Sequence, residues 1–452
     1  MKPVAHRGSL AAVVAAGAVL AAATPAAAHG VGGRSDLPVP VWLATYGAVG
    51  AMLASFAVLG AAWRTPRLAT AAEAATSGRG RDGVPLLVVT RTIGMVFFLL
   101  TLSAAWFGSA ESAETIAPLM IYVVVWVLVP ILALVIGDVW RMLDPIDTLA
   151  RIVERVRPAS SEAGPGPTWT APAMIGGFLW IELAYHDSAS PRMLAATMTV
   201  YVLVALVGVA RWGRGWLARG EGFAVLFGAL GRIGPVALDE RDRLHLTRPL
   251  SRLAATVPTA TTLTLLVTLG GTAFDGLTRT TWWLDISGSR TGWDRTTVAT
   301  IGLVGSIAVV MALYRAAAVG TARIGRRDVD EVARGFGPSL APIALGYAIA
   351  HYASLLIFEG QELLARISDP LSRGWDVFGT ATNSIDFTVV STEVIAWIQV
   401  LAIVIGHVLG VLVAHDRSVE WWSGRRARDT QYPLMAVMVL FTMGGIGLLL
   451  GT

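Results

Sequence analysis

The chain contains no cysteine, and its only lysine is Lys2. Disulfides, thiolate metal sites and cysteine nucleophiles are therefore excluded. A nucleotide-binding loop needs a lysine after its glycines, so ATP-driven chemistry by this chain is excluded as well. His-Glu-x-x-His and Gly-x-Ser-x-Gly are also missing, which removes the commonest zinc-protease and serine-hydrolase signatures. Charge is scarce: Asp, Glu, Lys and Arg make up 15% of the 452 residues, against roughly 25% in a soluble globular chain. What fills the gap is apolar, with 54% hydrophobic residues and a mean hydropathy of +0.63. A soluble enzyme, a disordered chain and a coiled coil are all inconsistent with this balance. The composition predicts an all-α, polytopic transmembrane bundle whose main partner is the lipid bilayer.

The N-terminus reads as a secretory signal peptide. Lys2, His6 and Arg7 precede an apolar run from Leu10 to Ala23, and Pro25 precedes Ala26-Ala27-Ala28, a small-residue cleavage site. Cleavage after residue 28 leaves 29–452 as a single integral-membrane domain. Ten apolar stretches follow, near 40–63, 85–107, 116–138, 169–187, 193–212, 257–275, 298–318, 338–359, 391–414 and 432–450. About 20 residues of helix cross a ~30 Å hydrocarbon layer, and only a helix satisfies its backbone there without neighbours. The loops alternate in charge: one side of the membrane receives 25 arginines and the other seven. The positive-inside rule then places both mature termini outside the cell membrane. The pI near 9.7 is thus a topological signal, with no nucleic-acid partner implied. Within the longest inner loop, Phe223, Leu226, Phe227, Leu230 and Ile233 recur at helical spacing. They predict an amphipathic helix near 221–234 on the inner membrane surface. Segment 158–167, rich in Pro, Ser and Gly, reads as a flexible linker.

Ionisable side chains inside spans are expensive and point to function. Arg91, Glu182, His351 and His407 fall inside the expected spans, with Asp275, Glu359 and Glu393 near span ends and His415 at the inner edge, where it is expected to matter little. Glu182 and His186 are four apart, so one helical face would present both. Mature His29 would offer an α-amine and an imidazole together, a chelating pair suited to Cu or Zn. A divalent metal would then be held near the outer side by His29, His351, His407, Glu182 and His186, each of which also has an ordinary structural use. The residues leave three functions open. These are metal-assisted or acid–base catalysis, a transporter or channel for an ion, proton or small hydrophobic solute, and a metal-handling subunit using His29.

Several stretches carry a family resemblance: Ala28-His29 running to Asp36 and Pro40, Gly137-Asp138-Val-Trp140-Arg141, Phe274-Asp275-Gly276, His351-Tyr352 running to Phe358-Glu-Gly360-Gln361, and Gly406-His407 to His415-Asp416-Arg417. Nearly end to end, the chain resembles actinobacterial membrane proteins described as fenitrothion hydrolases. The resemblance implies the same multi-helix fold and hydrolysis of a hydrophobic, organophosphate-like ester. A metal-bound hydroxide would be the nucleophile. On that reading Glu359 and His351 serve catalysis, with His407 and His29 completing the metal site.

Overall fold

A computed structural model describes residues 39–76, 80–156 and 164–450. The expected signal peptide, His29 and residues 158–163 of the linker lie outside these. Ten helices match the ten apolar stretches in order: α1 (Val41–Ala62), α2 (Val84–Phe107), α3 (Leu119–Val135), α4 (Thr170–Leu183), α5 (Pro191–Trp212), α6 (Thr259–Thr278), α7 (Gly292–Gly325), α8 (Leu340–Arg366), α9 (Thr392–Trp421) and α10 (Tyr432–Leu450). Seven of the ten segments are long and apolar enough to cross a membrane, namely α1, α2, α5, α7, α9 and the stretches containing α8 and α10. The three others fall short for different reasons. α3 and α4 are short, α4 having 14 residues. α6 has 20 residues but seven are threonine.

The threonines of α6 follow from its position. It packs against α4, α7, α8 and α10, and 13 of its residues are buried. A helix shielded from lipid need not be strongly apolar. Three of its buried hydroxyls are satisfied within the helix: Thr264 donates to the Ala260 carbonyl at 2.8 Å, Thr268 to Thr264 at 2.9 Å and Thr272 to Thr268 at 3.1 Å, while Thr262 Oγ1 has no partner among the described residues.

α8 and α9 cross in close contact, and glycine makes it possible. A Cβ on Gly346 would stand 2.5 Å from the Ala402 carbonyl oxygen, and one on Gly406 would stand 2.7 Å from that of Pro342. Small residues that let two backbones touch are the usual adhesive between helices in lipid, where apolar burial gives little drive.

Polar structure gathers where the arginine-rich loops meet. β1 (Arg81–Asp82), β2 (Val236–Leu238) and β3 (Arg243–Leu246) form an antiparallel sheet in the order β1-β3-β2, pairing Arg81 with Leu244 and Val236 with Leu246. Asp242, in the β2–β3 turn, receives Arg91 of α2 at 3.0 Å and Arg151 at 3.2 Å. Arg91 therefore anchors this sheet, which accounts for an arginine near the end of a span. Asp138 takes Arg252 at 2.7 Å, and its other oxygen accepts the Leu238 amide at 3.0 Å.

A second knot joins the two ends of the described chain. His415 sets Nδ1 2.9 Å from Gln431 Oε1 and Nε2 2.8 Å from the Trp63 carbonyl. Asp416 Oδ1 accepts from Trp63 Nε1 at 2.8 Å and from the Arg67 amide at 2.7 Å, closing the start of the short helix Arg67–Thr76. His415 is thus a structural clasp. A neutral imidazole carries a single N–H, so its loss would leave one of these buried acceptors without a donor.

The helix expected on the inner surface exists as Gly222–Gly231, but it is buried. Leu226, Phe227, Ala229 and Leu230 all pack in the main core. Gly222, Ala224, Gly228, Ala229 and Gly231 leave its second face too small and apolar to prefer water, and the Glu221 side chain caps its start by accepting from the Phe223 and Ala224 amides.

Two outcomes follow. Gly406→Val should lower the unfolding midpoint in detergent, by the equivalent of about 1–3 kcal/mol for an overpacked contact. Gly360→Ala, where a Cβ meets nothing within 4 Å, should leave the midpoint unchanged. At the sheet, burial raises Asp242, but Arg91 and Arg151 outweigh it and hold its carboxyl below the usual range. A depressed folded value means the stabilisation is complete above the unfolded value of about 3.9 and is lost as pH falls through the folded value. Asp242→Asn should therefore destabilise the protein at pH 7, and the gap from wild type should close in unfolding curves taken below about pH 4.

Candidate functional site

Three helices bring ionisable side chains together inside the bundle. α6 packs against both α4 and α8, so Glu182 in the last turn of α4, Asp275 in α6, and His351 and Tyr352 in α8 converge. His351 Nε2 lies 2.6 Å from Asp275 Oδ2, and the imidazole side chain is completely buried. The contact is close but not aligned as a hydrogen bond. Tyr352 Oη lies 3.0 Å from the same Asp275 oxygen and 3.4 Å from Glu182 Oε1. One hydroxyl thus stands between two carboxylates.

The hydrogen-bond inventory of this cluster is short of protons. Ionised carboxylates only accept, and a tyrosine hydroxyl has a single hydrogen to donate. If that hydrogen goes to Asp275, the nearer partner, Glu182 can bond to the hydroxyl oxygen only by carrying a proton itself. Among the described residues, Glu182 Oε2 and His351 Nδ1 are buried and have no hydrogen-bond partner. The cluster therefore has both a proton to move and places to put it.

Aromatic rings frame the group. Tyr347, one turn before His351, stacks on its imidazole with ring centres 6.0 Å apart and planes 10° from parallel. Trp126 packs against Phe178 of α4 at 4.8 Å and leaves its buried Nε1 without a partner. It sits in Leu119–Leu128, where α3 winds as a π-helix. Such winding is rare and often occurs where a functional site needs a side chain re-aimed.

The remaining candidates from the sequence go elsewhere. His186 does not share a helical face with Glu182, because α4 ends at Leu183. Beyond that end, its amide and Nδ1 meet Thr296 Oγ1 at 3.1 and 3.0 Å, and its ring lies 5.4 Å from that of Trp293. His407 is buried as expected, with Nδ1 donating to the Ile403 carbonyl at 2.9 Å. Glu359 is half-buried, eight residues beyond His351 and so about 12 Å further along α8. Among the described residues, no three His, Asp or Glu side chains are grouped to hold a metal ion. The donor set expected for Cu or Zn does not assemble from them, and no metal chemistry is derived from this site.

Asp275 emerges at the centre of the cluster, and Tyr352 and Tyr347 join it. The sequence marked Asp275 as one of several carboxylates near span ends, and Tyr352 only as the neighbour of His351. Its partners lie 76 and 77 positions away, and nothing in the local pattern announces them.

Asp275→Ala should destabilise the protein by about 3–5 kcal/mol, the usual loss when one member of a buried charged pair is removed. Asp275→Asn, which keeps an acceptor for Tyr352, should lose clearly less. Unfolding in detergent with a graded denaturant measures both.

No protein-family model, curated protein or solved structure matches this chain.

Proposed function

We propose that this is a multi-pass protein of the cell membrane that moves protons, alone or coupled to an ion or small solute. Glu182, Tyr352, Asp275 and His351 form its protonatable centre. The observation that carries this reading is the single Tyr352 hydroxyl placed between two carboxylates, beside an imidazole contacting one of them. Chains of Asp, Glu and His within membrane helices are the usual material of proton relays. In this reading α3, α4 and α6 also span, shielded by the seven more apolar segments, to give ten spans. The signal peptide is cleaved and both mature termini face outside, in keeping with 25 inner against seven outer arginines.

Each residue has one task. Glu182 takes up a proton at its unpartnered oxygen. Tyr352 relays by accepting from Glu182 while donating to Asp275. Asp275 exchanges its proton with the neighbouring imidazole, and His351 delivers it through Nδ1.

A second reading keeps the hydrolase implied by the family resemblance. It is favoured by the Asp275–His351 contact, since a carboxylate beside one ring nitrogen leaves the other to take a proton from an attacking water. Two assays separate the readings. Purified protein in liposomes should collapse an imposed pH gradient faster than empty liposomes, and Glu182→Gln should slow the collapse at least about tenfold. A gradient as persistent as in empty vesicles overturns the proton reading. Release of the phenol from fenitrothion by detergent-solubilised protein, lost in His351→Gln, would establish the hydrolase instead.

A further inference from the structure

Between the ends of α8 and α9 remote from the arginine-rich loops, residues 367–391 form a loop that ties its polar groups to itself. Asp369 accepts from the amides of Arg373 and Gly374 at 2.8 and 2.7 Å. Asp376 accepts from the Ala381 amide at 3.0 Å and Asp386 from that of Thr388 at 2.8 Å. The Ser368 carbonyl and hydroxyl take the amides of Val377 and Phe378, each at 3.1 Å. All three acids of the loop thus serve its own backbone. Its large apolar side chains are treated in the opposite way: Trp375, Val377, Phe378, Phe387 and Val389 are between 48% and 67% exposed. Five such residues held uncovered on one loop mark a surface for lipid or for another protein.

The height of the loop decides between the two. Leu363, Ile367 and Leu371 pack on the cluster formed by Ala104 of α2 with Ile116 and Met120. Arg373 donates to the carbonyl of Phe107, the last residue of α2, at 3.1 Å. Further on, the Phe387 ring lies 5.3 Å from that of Phe358, at the end of the apolar stretch 338–359. Both halves of the loop are therefore fastened where the spans leave hydrocarbon. Past the loop, uncovered apolar surface continues along one face of α9 as Val394, Leu401 and Ile405, between 48% and 55% exposed, on a helix apolar enough to cross a membrane. Aromatic side chains collect at this boundary, where one side is apolar and the other wet. A protein partner would need a surface standing clear of the lipid, and the anchors hold this one level with it.

We propose that loop 367–391 lies in the headgroup–acyl boundary of the bilayer, with Trp375, Val377, Phe378, Phe387 and Val389 inserted among the lipids. Backbone polar groups at that depth have to be satisfied within the protein, and Ser368, Asp369 and Asp376 already do so for the segment that carries Val377 and Phe378. The contact is independent of the carboxylate cluster and stands whether or not that cluster relays protons.

The chain has no cysteine, so a single introduced cysteine takes a single environment-sensitive dye. Full-length Phe378→Cys and Phe387→Cys, labelled and reconstituted in phosphatidylcholine vesicles, carry the test. Leu401→Cys is the lipid-facing reference, and Asn383→Cys, at an exposed polar position of the same loop, is the aqueous one. The proposal expects the labels at 378 and 387 to emit at shorter wavelength than the label at 383. They should lose fluorescence to phospholipids spin-labelled just below the headgroup, as the label at 401 does, and be little affected by iodide on both sides of the vesicles. Trp375→Cys or Val389→Cys replaces either variant if it does not fold. Iodide quenching at 378 or 387 equal to that at 383 would place the loop in water and overturn the proposal. Protection from both quenchers would mean that protein covers the loop, and would overturn it too, as would lipid quenching of only one of the two labels.

Discussion

Asp275 places an acceptor-only group inside a helical bundle, and its two contacts, from His351 at 2.6 Å and Tyr352 at 3.0 Å, organise what surrounds it. A hydrogen bond to a charged group returns about 1.5–3 kcal/mol; Tyr352 supplies one to Asp275, and the His351 imidazole lies in close contact beside it. α6 must therefore stay against α8. Held there, it is screened by its neighbours, and a helix so screened can carry seven threonines, four of whose hydroxyls bond back to its own carbonyls. The polarity of α6 and its central position have the same origin.

The crossing of α8 and α9 has a comparable economy. Gly346 and Gly406 let the backbones touch, and the next residue in each helix is Tyr347 or His407. A step of one residue turns about 100° around a helix, away from the contact and toward the space between α6 and α10. The same crossing that is tightest at the glycines thus brings Tyr347 and His407 to the wall of one pocket. Close packing and open volume are adjacent because the helices are rigid: backbones that meet at one level diverge at the next.

Much of the fold was legible because hydrocarbon imposes a simple rule on sequence. Long apolar runs such as 85–107 and 193–212 face lipid over much of their surface, and they correspond to α2 and α5 within a few residues. The rule weakens where protein replaces lipid as the solvent. α6 reads as a span near 257–275, yet its seven threonines leave it outside the seven segments apolar enough to cross a membrane, and the helix Gly222–Gly231 looked amphipathic because its small residues are not strongly hydrophobic, although they pack well. For the site, Glu182 and His351 were visible as charges in apolar runs. Their partners were not. Glu182 and His186 looked paired because four residues make one helical turn, a relation that ends where the helix does, at Leu183. Meetings such as Tyr352 with both Asp275 and Glu182 depend on which helices pack together, and that is written in the shapes of whole faces.

The clasp formed by Trp63, Asp416 and His415 has a consequence for how the protein is made. α1 packs on α9 and α10, and roughly 350 residues separate the start of α1 from that of α9. At about 5–20 residues per second, α1 waits in the membrane for about 20–70 seconds before its partners are synthesised. During that interval the segment after Ala62 lacks the Asp416 carboxylate that closes the short helix, and the Trp63 carbonyl lacks the imidazole that meets it. Assembly of this bundle is therefore completed from its end backward. A nascent chain that stalls before residue 415 leaves the Trp63 indole and carbonyl without the partners that hold them in the finished chain.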